Sequence, residues 1–181
     1  MTGPKRGIDF LGDIVIEYDM KIKTGEQEKH DLTLIDGASV IGDTDVSSCR
    51  ALTKCIHGDC GAIDIAISGL VHAVEATIEV LISDVQRSFS LCLGCFTSGF
   101  KAEIRLFDGV IGESRCLKRS VVAVVQRSWM ELKFKIGLES SCFTKRCSFR
   151  ASEHGLSCQE IKTDSALFSV KVTWSALPRR V

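Results

Sequence analysis

Proline is nearly absent from the 181 residues: Pro4 and Pro178 stand one near each end, and none lies between them. That excludes a proline-rich linker or a polyproline ligand. No charge is in excess either, since 23 Lys plus Arg balance 23 Asp plus Glu for a formal net charge of zero. Chains that grip nucleic acid through its phosphates ordinarily carry a basic surplus, so no nucleic-acid partner is expected. Apolar runs stay well short of the ~18 residues that a membrane-spanning helix needs, so no membrane partner is expected. Met1 to Gly7 contains no apolar stretch of the signal-peptide kind. Together with nine cysteines this points to a reducing compartment, cytoplasm or nucleus, where thiols stay free. Aromatic rings are scarce too: one tyrosine, two tryptophans and nine phenylalanines, too dispersed for a base-stacking platform.

What the sequence has in quantity is alternation. In Ile14-Val-Ile-Glu-Tyr-Asp-Met-Lys-Ile-Lys23 the even positions are apolar and the odd ones become charged. A strand sends successive side chains to opposite faces, so the stretch reads as a half-buried strand. Met130 to Ile136, Ile63 to Ile67 and Val74 to Val80 repeat the pattern. Weaker strands are expected over 31–35, 89–96, 102–107 and 167–174. Val121 to Val125 is apolar without a break, the mark of a central strand or one buried on both faces. Asp36-Gly37, Thr97-Ser98-Gly99 and Asp108-Gly109 read as turns between them. Ser68 to Glu75 has room for at most one helical turn, and no longer stretch shows a helical period. About eight strands predict an all-β chain, a single antiparallel β-sandwich over residues 1–181 with no linker or repeat dividing it.

Chemistry-bearing side chains do not assemble into a catalytic pattern. Cys49, Cys55, His57 and Cys60 place four soft ligands within twelve residues, but their Cys-x5-Cys-x-His-x2-Cys spacing is not the paired spacing of a structural zinc site. His57-Gly-Asp-Cys-Gly61 reads instead as a tight turn into the Ile63 strand. Cys92-Leu-Gly-Cys95 resembles a redox pair, but on a strand residues three apart point to opposite faces. Cys142 and Cys147 flank Thr144-Lys-Arg146 and are expected to approach each other across a hairpin, as thiols. Cys116 and Cys158 have no partner by spacing. His30, His57, His72 and His154 sit in unrelated contexts. Lys5, Arg6, Arg115, Lys118, Arg119, Arg179 and Arg180 read as solubility rather than recognition. No nucleophile elbow, phosphate-cradling loop or metalloprotease helix is present. The chain is therefore not expected to be an enzyme. No catalytic, cofactor-binding or metal residue is assigned, and no cofactor or small-molecule substrate is expected.

Several stretches taken together carry a resemblance. They are Met1-Thr-Gly-Pro-Lys-Arg-Gly-Ile8, Glu17-Tyr-Asp-Met-Lys-Ile-Lys-Thr-Gly25, Leu34-Ile-Asp-Gly-Ala38, Gly58-Asp-Cys-Gly-Ala-Ile63 and Ala73-Val-Glu-Ala-Thr-Ile-Glu-Val80. Ile104-Arg-Leu-Phe-Asp-Gly109, Ile111-Gly-Glu-Ser114, Cys147-Ser-Phe149 and Val170-Lys-Val-Thr-Trp174 follow in order. In this combination the chain is similar to the grass-specific plant domain of unknown function DUF6598. Some members of that family are joined to ribosome-inactivating domains, and others carry jasmonate-induced-protein names.

In that family the Thr-Gly-Pro-Lys-Arg-Gly segment is normally internal and follows further strands, whereas here it follows Met1. The resemblance thus implies a sandwich lacking its first two or three strands, with a sheet edge exposed for a protein partner or a second copy. It does not carry toxin chemistry across. The string nearest to the N-glycosidase helix is Glu75-Ala-Thr-Ile78, on a strand, with Ile78 where an arginine belongs and only Tyr18 to stack a base. The expectation is a non-enzymatic protein-interaction domain of grass stress or defence physiology. The alternatives are an antidote that neutralises a toxin-like protein, and a cysteine-rich metal or redox protein.

Overall fold

Alternation becomes strand throughout the computed structural model, which describes residues 12–25, 31–42, 51–138 and 141–176. The chain is all-β: thirteen strands are described, all pairing antiparallel, and no helix occurs among the described residues. Contacts divide the chain into two compact units, Asp9–Gly69 and a second that includes Leu70–Val181.

Among the described residues the first unit holds two antiparallel strand pairs. Strands β1 (Ile14–Ile22) and β2 (Leu32–Ile41) pair with each other, as do β3 (Leu52–Gly58) and β4 (Gly61–Ile67). The second pair closes through Asp59 and Cys60 with Gly58 opposite Gly61, so the expected turn is present. Among its described residues Ile35 and Ile41 are the buried apolar ones, while Ile16, Ile56, Ile65 and Ile67 are half-buried. With Tyr18, Ser39, Ile41 and Lys54 these four isoleucines line a narrow, largely filled cleft. Gly58 lets β3 lie against β2, because a Cβ there would collide with the Leu34 carbonyl oxygen.

Asp36-Gly37 is not a turn. Both residues lie within β2, where Gly37 pairs with Tyr18 at a φ of 153°. The Tyr18 ring comes within 3.4 Å of where a Gly37 Cβ would stand. Glycine marks this position because the strand needs its φ and the ring fills its missing side chain.

The second unit packs two sheets face to face. One has the order β11 (Ser141–Arg150), β10 (Trp129–Leu138), β6 (Phe89–Thr97), β7 (Phe100–Ile111). The other runs β12 (His154–Lys162), β13 (Leu167–Ala176), β5 (Ala73–Ser83), β8 (Arg115–Cys116), with β9 (Ser120–Val125) also on β5. Their inward residues form one continuous core, in which Met130, Leu132, Phe134 and Ile136 of β10 face Phe168, Val170, Val172 and Trp174 of β13. This is a sandwich core: alternate residues of both sheets bury together while their neighbours face out.

Other expectations change here. Asp108-Gly109 continues β7 rather than ending it, and Ser68–Glu75 contains a turn at Val71–His72 before β5 starts at Ala73. Among the described residues Val121–Val125 is not central: β9 pairs with β5 alone, and Ala123 is exposed. Strands β3, β8, β11 and β12 are not announced by alternation, because their apolar positions are interrupted by Lys, Arg, Ser or Cys.

Candidate functional site

Among the described residues the cysteines do not form a centre. Cys55 stands opposite Asp64 on the β3–β4 hairpin, where a hydrogen bond to the carboxylate pushes its thiol pKa up. Cys60 occupies the turn, and Cys49 lies outside the described residues. Among the described residues no group of three or more His, Cys, Asp or Glu is placed to hold a metal ion. Cys92 and Cys95 diverge as strand geometry requires, Cys95 buried in the core and Cys92 on the other face.

Cys142 and Cys147 do not meet across a hairpin. Both lie on β11, five residues apart, because the hairpin is formed by β10 with β11. Cys147 is instead the counterpart of Cys95. Both are opposite Leu132, one on each side of it. Two strand spacings separate them, about 9.6 Å, beyond the ~7 Å Cα reach of a disulfide. Burial pushes each thiol up to about 12.

The basic residues near 115–119 are partly engaged. Arg119 reaches Glu79 at 2.8 Å, and Lys171 reaches the same carboxylate at 3.0 Å. The hydrogen bond from Lys171, then that from Arg119, holds the Glu79 pKa below the ordinary carboxylate value. Glu75 lies on strand β5, as the sequence reading has it.

What remains chemically unspent is the set of sheet edges. β11 and β12 are tied together, since the Gln159 side-chain amide on β12 donates to the Ser148 carbonyl on β11 at 2.7 Å. β7 is guarded differently. Its pairing with β6 shifts register twice, and it carries Lys101, Glu103, Arg105 and Asp108. Glu103 pairs with Lys133 of β10, and Arg105 with Asp108. Bulges and charges of this kind discourage a foreign strand from adding.

Among the described residues β9 has neither protection. Its six residues, Ser120-Val-Val-Ala-Val-Val125, contain no charge, proline or glycine. The Gln126 N–H donates to the His72 carbonyl at 2.8 Å, which sets the phase of the ladder. Antiparallel pairing alternates, so Ser120, Val122 and Val124 point their backbone groups at β5, and Val121, Ala123 and Val125 point theirs away. The Val125 carbonyl accepts from Ser128 N at 3.2 Å and from Ser128 Oγ at 2.6 Å. The outward row therefore offers the N–H groups of Val121, Ala123 and Val125 and the carbonyls of Val121 and Ala123.

A family described as a domain of unknown function, DUF6598, matches residues 1–172. The chain belongs to that family. No curated protein and no solved structure matches it. The DUF6598 match spans both compact units, and β9 lies within the matched region. No helix among the described residues is long and apolar enough to cross a membrane. The sequence leads to a different expectation for Val121–Val125, a central strand or one buried on both faces, and its exposed edge is expected from the resemblance, where first strands would be missing. The signal that was present is the contrast between an unbroken apolar run and the charged flanks Lys118-Arg119 and Arg127.

Proposed function

We propose that this DUF6598 domain is a non-enzymatic protein-interaction module that binds by adding a partner's strand to an exposed sheet edge. The observation that carries the reading is β9: an edge strand among the described residues, apolar from Val121 to Val125, with outward backbone donors and acceptors. Strand addition uses those groups for affinity and the flanking side chains for selectivity. The resemblance to a grass family with stress- and toxin-associated members supports a role in stress or defence physiology.

The test is affinity capture of the tagged full chain from grass leaf and floral extract, read by quantitative mass spectrometry. One stoichiometric protein retained through moderate salt is the expected result. Recovery of chaperones and degradation machinery alone would contradict the reading.

A further inference from the structure

Resting on the strand-addition reading, we infer that the β9 edge selects an extended apolar segment flanked by acidic residues, from a partner other than a second copy of this chain. The inference comes from the charges at the two ends of the edge. Arg119 precedes Ser120 and Arg127 follows Gln126, so a cation flanks the apolar run at each end. Glu79 meets Arg119 but shares its carboxylate with Lys171, which leaves that trio with net positive charge. Arg127 is exposed, with a left-handed backbone at φ 61°, in the tight turn between β9 and β10.

A second copy fits this edge poorly. Antiparallel self-pairing about Ala123 sets Val122 against Val124 and Val121 against Val125, an acceptable apolar match. The same register sets Arg119 of each copy against Arg127 of the other. The ladder phase allows shifts only in steps of two residues, and the first such step sets Arg119 against Val125 and breaks the apolar match. Like charges directly opposite each other destabilise a strand pair, so the flanks disfavour the homodimer. They favour a strand whose ends carry Asp or Glu, in either direction, because both ends of β9 are basic.

The side-chain pattern defines the segment further. Val122 and Val124 are buried in the sandwich core, while Ala123 is exposed on the outer face. An added strand continues the sheet, so its alternate residues fall over the core rim beside Val122 and Val124 and want to be β-branched and apolar. Its other residues fall beside Ala123 and tolerate threonine or serine. About five residues match the length of the bare row.

The experiment uses the full chain and two labelled nine-residue peptides of sequence EEVTVTVEE and KKVTVTVKK, with binding read by fluorescence anisotropy. The acidic peptide should bind at least about tenfold more tightly than the basic one, with the difference shrinking in high salt. Ala123→Pro removes one outward N–H without touching the ladder to β5 and should abolish binding. Arg127→Glu leaves the strand backbone intact and should weaken the acidic peptide about fivefold, the scale of one exposed ion pair. Near-ultraviolet circular dichroism reports whether Ala123→Pro folds, and Arg127→Glu keeps the test decisive if it does not.

Equal affinity for the two peptides would overturn the acidic preference. Binding untouched by both substitutions would place strand addition at another edge and overturn the assignment to β9, leaving the wider reading standing. A concentration-dependent dimer in sedimentation that is lost in Ala123→Pro would make the second copy the occupant and overturn the inference. If neither peptide binds at millimolar concentration while extract capture still yields a stoichiometric partner, strand addition fails and protein interaction survives.

Discussion

Phe134 and Phe168 meet edge-on across the sandwich, ring centroids 5.4 Å apart and planes inclined at 61°. One ring comes from β10 of the first sheet, the other from β13 of the second, and both are fully buried. Phe89 adds a second edge contact to Phe168 at 5.9 Å. Phe168 is thus gripped by two strands of the opposing sheet. Phe168→Ala should remove about 3–5 kcal/mol of stability, through lost burial plus an unfilled cavity, measured by urea unfolding followed at Trp174. A loss below about 1 kcal/mol would mean that the two sheets do not depend on this contact.

The Asp9–Gly69 unit can be tested through its glycine contact. Gly58→Ala would drive a methyl group into the Leu34 carbonyl, a backbone atom that cannot swing aside. The expected cost is about 1–3 kcal/mol, as for other overpacked sites. Tyr18 is the single tyrosine and lies in this unit, its hydroxyl 3.2 Å from Ser39 Oγ, so tyrosine absorbance follows the change directly. Gly25→Ala, in the same unit and with nothing within 4 Å of the added methyl, is the matched control and should leave the transition in place.

The buried thiols give a pH dependence of definite sign. Cys95 and Cys147 are pushed by burial from 9.0 up to about 12, so the folded state holds its protons where the unfolded chain releases them. Their contribution is complete below about pH 9 and is lost as pH rises toward 12. Cys95→Ala/Cys147→Ala double substitution should flatten the alkaline fall in stability across that interval. At neutral pH, mass-resolved alkylation should label exposed Cys116 and Cys158 rapidly and Cys95 and Cys147 only on unfolding. Rapid labelling of Cys95 in the native protein would contradict the burial on which both expectations rest.

Strands that bury one face and wet the other were legible in the sequence, since β1, β4, β5 and β10 write their geometry as alternation. The edge strands β11 and β12 were not. Solvent relaxes the demand for apolar residues there, and Thr144-Lys-Arg146 or Ser157-Cys-Gln-Glu160 reads as loop. Glycine misled in the opposite direction. Gly37 and Gly109 look like punctuation but sit within strands, Gly37 beneath the Tyr18 ring and Gly109 against that of Phe107, 3.2 Å from where a Cβ would stand. The candidate site was half legible: the Val121–Val125 run announced a strand suited to neighbours on both sides. Which side lacks one depends on the order of strands about β5, and that order is tertiary.

Hydrogen exchange along β9 in the isolated full chain, resolved residue by residue by NMR, tests the open edge most directly. An open edge gives alternation: slow exchange at Val122 and Val124, whose N–H groups face β5, and fast exchange at Val121 and Ala123, whose N–H groups face outward. Equal, strong protection at all four residues in a monomer would show the edge already covered and would contradict the account.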